Sequence, residues 1–280
     1  MNASASGTTA SVEADTETDA NESGAEPLLV VDGLRKTFGG IVAIDGASFE
    51  VEAETITGLV GPNGAGKSTT FNCATGLLSP DAGSVRFAGE DITGLRPYQI
   101  ANRGLVRTFQ QTRELADMTV LENLLLASGD RRDEQVLPAV VPSLRRRVQE
   151  REAALLEEIW ETLDFFEIDH LADEYAKHLS GGQRKLLELA RALMTDPDML
   201  LLDEPFAGVN PTLEEQLLGR IHELQASGYT FLLVEHDMDL VMEHCETVIV
   251  MHQGQVLAEG SPASVRNDER VIEAYLGGGT

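Results

Sequence analysis

Two short stretches of this chain carry glycines and hydroxyls at spacings suited to holding phosphate. The first runs Gly61, Pro62, Asn63, Gly64, Ala65, Gly66, Lys67, Ser68, Thr69 and fits the phosphate-loop (Walker A) pattern G-x-x-x-x-G-K-[ST]. Its glycines let successive backbone N–H groups turn toward phosphate oxygens, and a helix starting near Lys67 adds the positive end of its dipole. In that chemistry Lys67 reaches the β- and γ-phosphates of a nucleoside triphosphate, and the Ser68 hydroxyl ligates Mg²⁺. The second stretch is Leu179, Ser180, Gly181, Gly182, Gln183, which opens an amphipathic helix. Ser180 with Gln183 three residues later makes a capping box, so the helix start needs no ligand. Two consecutive glycines, however, weaken a helix start unless something must approach closely. One mononucleotide needs one cradle, and this chain offers two.

Carboxylates supply the next chemistry. Met199-Leu-Leu-Leu202 is an apolar run suited to a strand buried on both faces of a parallel sheet. Asp203 and Glu204 follow at its carboxyl end, where ligands gather in open α/β sheets. The expected division of labour is Asp203 holding Mg²⁺ through water and Glu204 polarising an attacking water.

The elements that must position these groups are legible as patterns. Residues 55–60 read as a short buried strand and Lys67 to Leu77 as a helix, which brackets the first glycine loop correctly. Leu28 to Glu52 is β-rich, with a turn at Phe38-Gly-Gly. From Gln110 to Ser180 the pattern is helical: Thr119 and Glu122 form a capping box, and Arg145 to Phe166 places Val148, Leu155, Ile159, Leu163 and Phe166 at helical spacing. Its Arg145-Arg-Arg147 run reads as a solvated face. Strands and helices then alternate to about Val250. A strand and a helix capped by Ser261, with Pro262 at its first position, close the pattern between Gln253 and Leu276.

L-S-G-G-Q placed after a Walker A and shortly before a Walker B segment resembles the signature of ATP-binding-cassette (ABC) ATPases, and the likeness covers nearly the whole chain after residue 27. It implies an α/β fold: a P-loop NTPase with a RecA-like parallel sheet, an N-terminal antiparallel β-subdomain, and a helical subdomain inserted at about 115–195. It also implies that Ser180, Gly181, Gly182 and Gln183 of one subunit close over ATP held by the Walker A of a second, in a head-to-tail dimer with two ATPs. By the same resemblance Gln110 is the glutamine that senses Mg²⁺ and the γ-phosphate. His236, 32 residues after Glu204, is the switch histidine, and Phe38 is the aromatic that stacks on adenine. A core strand residue is the competing reading of Phe38. Ala207-Gly-Val-Asn210 departs from the family's usual S-A-L-D, and Asn210 before Pro211 reads as a helix N-cap.

Residues 107–111, 118–123, 206–211, 235–242 and 271–276 are similar to the ATP-binding subunits of branched-chain amino-acid importers, and the long helical stretch near 130–165 to the larger of that system's two ATPases. ATPases of urea/amide importers and of lipopolysaccharide export share much of the pattern. A soluble ABC switch in translation or DNA repair is the alternative from another class. The importer reading implies integral membrane permease subunits, a second ATPase subunit (the same or different), an extracytoplasmic solute-binding protein acting indirectly, and a peripheral place on the cytoplasmic face of the membrane.

Composition sets bounds. The chain has 280 residues and a formal net charge of −26. Residues 1–26 hold six acidic groups, no basic ones and few large apolar side chains, a composition expected to stay disordered because burial cannot offset its ordering entropy. Removing those six charges still leaves −20. Lysine occurs only at positions 36, 67, 177 and 185 among 21 basic residues, a bias that resembles proteins of salt-in halophiles. At molar salt the Debye length is only about 3 Å, so self-repulsion is screened. No nucleic-acid partner is expected. No apolar run approaches the roughly 20 residues that span a bilayer, and no signal-peptide pattern opens the chain. Cys73 and Cys245 are the only cysteines, too few for a disulfide framework or a zinc site.

Overall fold

The computed structural model describes residues 26–108, 115–128 and 142–276. The expected acidic tail lies outside them except for Glu26, and so does Gln110. The central layer is a six-stranded sheet of β3 (Ile56–Val60), β6 (Leu105–Arg107), β7 (Met199–Asp203), β8 (Thr230–Val234), β9 (Thr247–His252) and β10 (Gln255–Gly260). Its order is β10-β9-β3-β8-β7-β6. All neighbours are parallel except the β10–β9 pair at one edge. A second, antiparallel sheet runs β2-β1-β4-β5, from β1 (Leu29–Phe38), β2 (Ile41–Val51), β4 (Ala82–Phe87) and β5 (Glu90–Asp91).

Alternation along the parallel strands explains their all-apolar sequences. Leu200 and Leu202 of β7, with Phe231 and Leu233 of β8, join one buried cluster. Met199, Leu201, Leu232 and Val234 join the other. The sheet is therefore covered on both faces, as parallel sheets require. The antiparallel sheet and α1 (Lys67–Ala74) lie on one side. On the other lie α3 (Val120–Ala127), α4 (Pro142–Phe165), α5 (Gly181–Leu193), α6 (Pro211–Ala226) and α7 (Met238–His244).

Helix boundaries follow local chemistry. Thr119 caps α3 and Ser180 caps α5, each in a full capping box. Asn210 caps α6 by accepting the Leu213 N–H at 3.0 Å, with Pro211 at the first helical position. The helix expected to reach Leu77 stops at Ala74, because Gly76 takes a left-handed φ of 70° close against the Leu95 carbonyl. The single helix expected after Ser261 is two, α8 (Pro262–Arg266) and α9 (Glu269–Leu276). α2 (Pro97–Ala101) completes the set.

Candidate active site

Register brings the first glycine loop and the acidic end of β7 to one end of the parallel sheet. Leu59 and Asp203 both pair with Val234, so Gly61, Glu204 and Glu235 leave three adjacent strands at nearly the same level. Backbone bonds fix that level: the Glu204 N–H donates to the Val234 carbonyl at 2.9 Å, and the Glu235 N–H to the Leu59 carbonyl at 3.3 Å.

The first glycine loop curls over this end. A Cβ at Gly61 would sit 2.2 Å from the Met251 carbonyl oxygen. At Gly66, where φ is 103°, it would sit 2.6 Å from that of Ala43. The loop therefore needs glycine both for close approach and for backbone conformation. Gly66 caps α1 with no side-chain bond, so the helix's first N–H groups have no side-chain acceptor from the cap. The buried Lys67 ammonium donates to the Gly61 carbonyl at 2.5 Å and the Pro62 carbonyl at 3.3 Å. Burial lowers its pKa, and Glu204, Asp203 and Glu235 oppose that shift in that order. An ammonium held at a glycine loop that opens a helix fits a polyphosphate.

Asp203 is 2 % exposed; its Oδ2 accepts from Arg107 Nη2 at 2.5 Å, and its buried Oδ1 has no hydrogen-bond partner. Ser68 is exposed one residue into α1. Mg²⁺ is usually held by one or two carboxylates plus substrate phosphates, so an orphaned carboxylate oxygen beside a phosphate loop fits it. Glu204 has a φ of 50°, a conformation that costs a non-glycine residue about 1–3 kcal/mol and turns the chain sharply out of β7. Its Oε1 lies 3.6 Å from His236 Nδ1, so the two groups expected to act on water are brought together.

Phe38 ends β1 at the hairpin and is 44 % exposed, which removes the core-strand reading. Lys36 Nζ lies 5.6 Å from its ring centre. Lys36 and Thr37 tie the hairpin base to Asp81, whose pKa falls to about 2 chiefly through the Thr37 hydroxyl. An aromatic face is thus held at the surface, as base stacking needs.

The second glycine turn is built differently. The Ser180 hydroxyl accepts the Gln183 N–H at 3.3 Å, and the Gln183 side chain accepts the Ser180 N–H at 2.9 Å. Gly182 has a reason within its own chain: a Cβ there would lie 2.1 Å from Leu213 Cδ2. Gly181 meets nothing within 4 Å. Only that glycine, with Ser180, presents an open surface.

Three residues of this end escape a sequence reading. Lys185 Nζ reaches the Glu204 carbonyl at 3.5 Å. Glu235 is buried, with its pKa raised mainly by desolvation; the Phe206 and His236 amides and the His236 charge oppose that shift, and Glu204 adds to it. Arg107 joins Asp203 to Asn72. The one signal available for Glu235 was a charged residue directly after an apolar strand.

The parallel sheet, the glycine loop at the end of β3 and the acidic end of β7 together define a P-loop nucleoside triphosphatase. Residues 44–207 match the family described as ABC transporter, and residues 255–280 match that of the branched-chain amino acid ATP-binding cassette transporter. A probable branched-chain amino acid transport ATP-binding protein LivG of Archaeoglobus fulgidus is 42% identical over 253 residues, covering 89% of this chain and 95% of that protein. The high-affinity branched-chain amino acid transport ATP-binding protein BraF of Pseudomonas aeruginosa is 41% identical over 254 residues, covering 90% and 99%. The crystal structure of the ADP conformation of an ATP-binding cassette of an ABC transporter superposes with a TM-score of 0.77 at 39% identity, covering 90% of this chain and all of that one. The chain belongs to the ABC transporter family and is one of its ATP-binding, ATP-hydrolysing subunits. Among the described residues no helix is long and apolar enough to cross a membrane.

Proposed function

We propose that this subunit powers uptake of branched-chain amino acids through separate integral membrane permease subunits, from the cytoplasmic face of the membrane. The names of its relatives and the match over residues 255–280 support that substrate. A second ATPase subunit completes each ATP site, and an extracytoplasmic solute-binding protein delivers the solute to the permease.

In this reading the amides of Gly61 to Thr69 and the Lys67 ammonium hold the phosphates, Phe38 stacks on adenine, and Ser180 to Gln183 serve the partner subunit's ATP. Mg²⁺, when bound, neutralises charge on the β- and γ-phosphates; Ser68, Asp203 and Gln110 are the residues that would hold it. Glu204 orients water for in-line attack, and His236 supports Glu204 and the γ-phosphate. The single observation that carries the chemistry is the meeting of Glu204 and His236, 3.6 Å apart, at the same end of the sheet as the phosphate loop.

The test is uptake of leucine, isoleucine and valine into vesicles containing the co-purified permease. Wild-type chain should drive uptake. Glu204→Gln should retain ATP binding yet lower turnover by about 10²–10⁴-fold, the worth of a positioned general base. Near-normal turnover in that variant would remove Glu204 from the role. Uptake of urea or an amide instead would move the chain to a related importer.

A further inference from the structure

Arg107 holds a place that the phosphate loop and the acidic strand end do not by themselves explain. It is the last residue of β6, at the edge of the parallel sheet, where it pairs with Leu201. Its side chain is only 10 % exposed. Its Nη2 donates to Asp203 Oδ2 at 2.5 Å and its Nη1 to Asn72 Oδ1 at 2.6 Å, its Nε is buried without a hydrogen-bond partner, and the guanidinium carbon stands 5.6 Å from the centre of the Phe71 ring. The planar fork of arginine can serve two acceptors at once from one fixed plane, which lysine cannot do.

The two acceptors sit on the two elements that carry the expected Mg²⁺ holders. Asn72 lies four residues after Ser68 on α1, so the two share one face of that helix. Asp203 ends β7. We propose that Arg107 is a positioning residue for the metal: it fixes the distance between α1 and the end of β7 and occupies one oxygen of Asp203 so that the other, Oδ1, is presented to the cation. The unpartnered, buried Oδ1 is the observation that gives the arrangement a direction. A buried carboxylate oxygen without a donor carries an uncompensated desolvation cost, which a cation at that oxygen would offset. The inference rests on the reading of Asp203 as a metal holder.

The test uses Mn²⁺ in place of Mg²⁺, with its binding to the full chain loaded with ADP followed by electron paramagnetic resonance. ADP affinity in the presence of EDTA is measured in parallel. Replacing groups that orient metal ligands typically weakens metal binding about 10–100-fold, and Arg107→Gln is expected to weaken Mn²⁺ by that much while metal-free ADP affinity stays unchanged. Arg107→Lys keeps the charge without the fork and should fall between Arg107→Gln and wild type. Removal of Arg107 leaves a buried carboxylate unpaired, so Asn72→Ala provides a variant that keeps the ion pair; it should fold and still weaken Mn²⁺, by less. Unchanged Mn²⁺ affinity in all three would overturn the proposal. So would tighter binding, which would make Arg107 a competitor of the cation. Asp203→Asn separates the two readings: if it too leaves Mn²⁺ affinity unchanged, the assignment of Asp203 itself fails.

Discussion

The chain opens two helices with glycine, and the two starts are opposites. At α1 the cap is Gly66, no side chain caps the first turn, and a buried ammonium leans over the loop. At α5 the cap is Ser180, whose hydroxyl and partner Gln183 already satisfy two of the backbone donors that a helix start exposes. The first end keeps its donors for a ligand and is walled by its own chain at Gly61 and Gly66. The second is closed off from within and exposed from without. Two glycine-rich helix starts can thus look alike in sequence and differ in which side of the glycines is crowded.

The largest way to break this contrast is at the charge. Lys67→Ala should lower ATP affinity by about 10–150-fold, the loss of charge-assisted hydrogen bonds worth roughly 1.5–3 kcal/mol, as read by nucleotide titration of the isolated chain. The corresponding loss at α5 should leave that affinity alone. If Ser180→Ala weakened it equally, the two ends would not be different in kind.

A smaller effect separates the two glycines of the second turn. Gly182→Ala forces Leu213 aside and should cost about 1–3 kcal/mol by overpacking, seen in thermal or denaturant unfolding. Gly181→Ala, facing open space, should change stability by less than about 0.5 kcal/mol. Equal losses would show that Gly181 too is held by its own chain.

The mildest difference is one of pH, since a buried carboxyl sits behind Lys67. Desolvation raises the Glu235 pKa in the folded protein, so the folded state binds a proton that the unfolded chain has already released. Stability from this group is fully present below the ordinary carboxylate value and declines as pH rises from there through the raised one. Glu235→Gln should flatten that part of the pH–stability curve; an unaltered slope would show that Glu235 does not produce it.

Which of these features could be seen in the sequence depends on how far apart their causes lie along the chain. The phosphate loop, the apolar strand before Asp203, and the caps at Thr119, Ser180 and Asn210 are local, and each was legible from a few neighbouring residues. The helix expected through Leu77 ended at Ala74 because Gly76 packs against Leu95, a contact that no local pattern contains. The Arg107–Asp203 pair joins residues 96 positions apart, and nothing in either segment names the other. Gly182 shows the limit most clearly. Its reason is a leucine on α6, so the pair of glycines divides into one needed for packing and one left open, and the sequence alone could only count two.

In the proposed dimer Gly61–Thr69 and Ser180–Gln183 belong to different ATP sites, each completed by a second subunit. Sedimentation equilibrium of the Glu204→Gln chain with saturating ATP, with and without Ser180→Arg, tests it most directly. The expected mass is that of two chains for Glu204→Gln and of one chain when Ser180→Arg is added, with the same ATP affinity per single chain. A single-chain mass for Glu204→Gln at saturating ATP would contradict it, as would a Ser180→Arg monomer that has lost its hold on ATP.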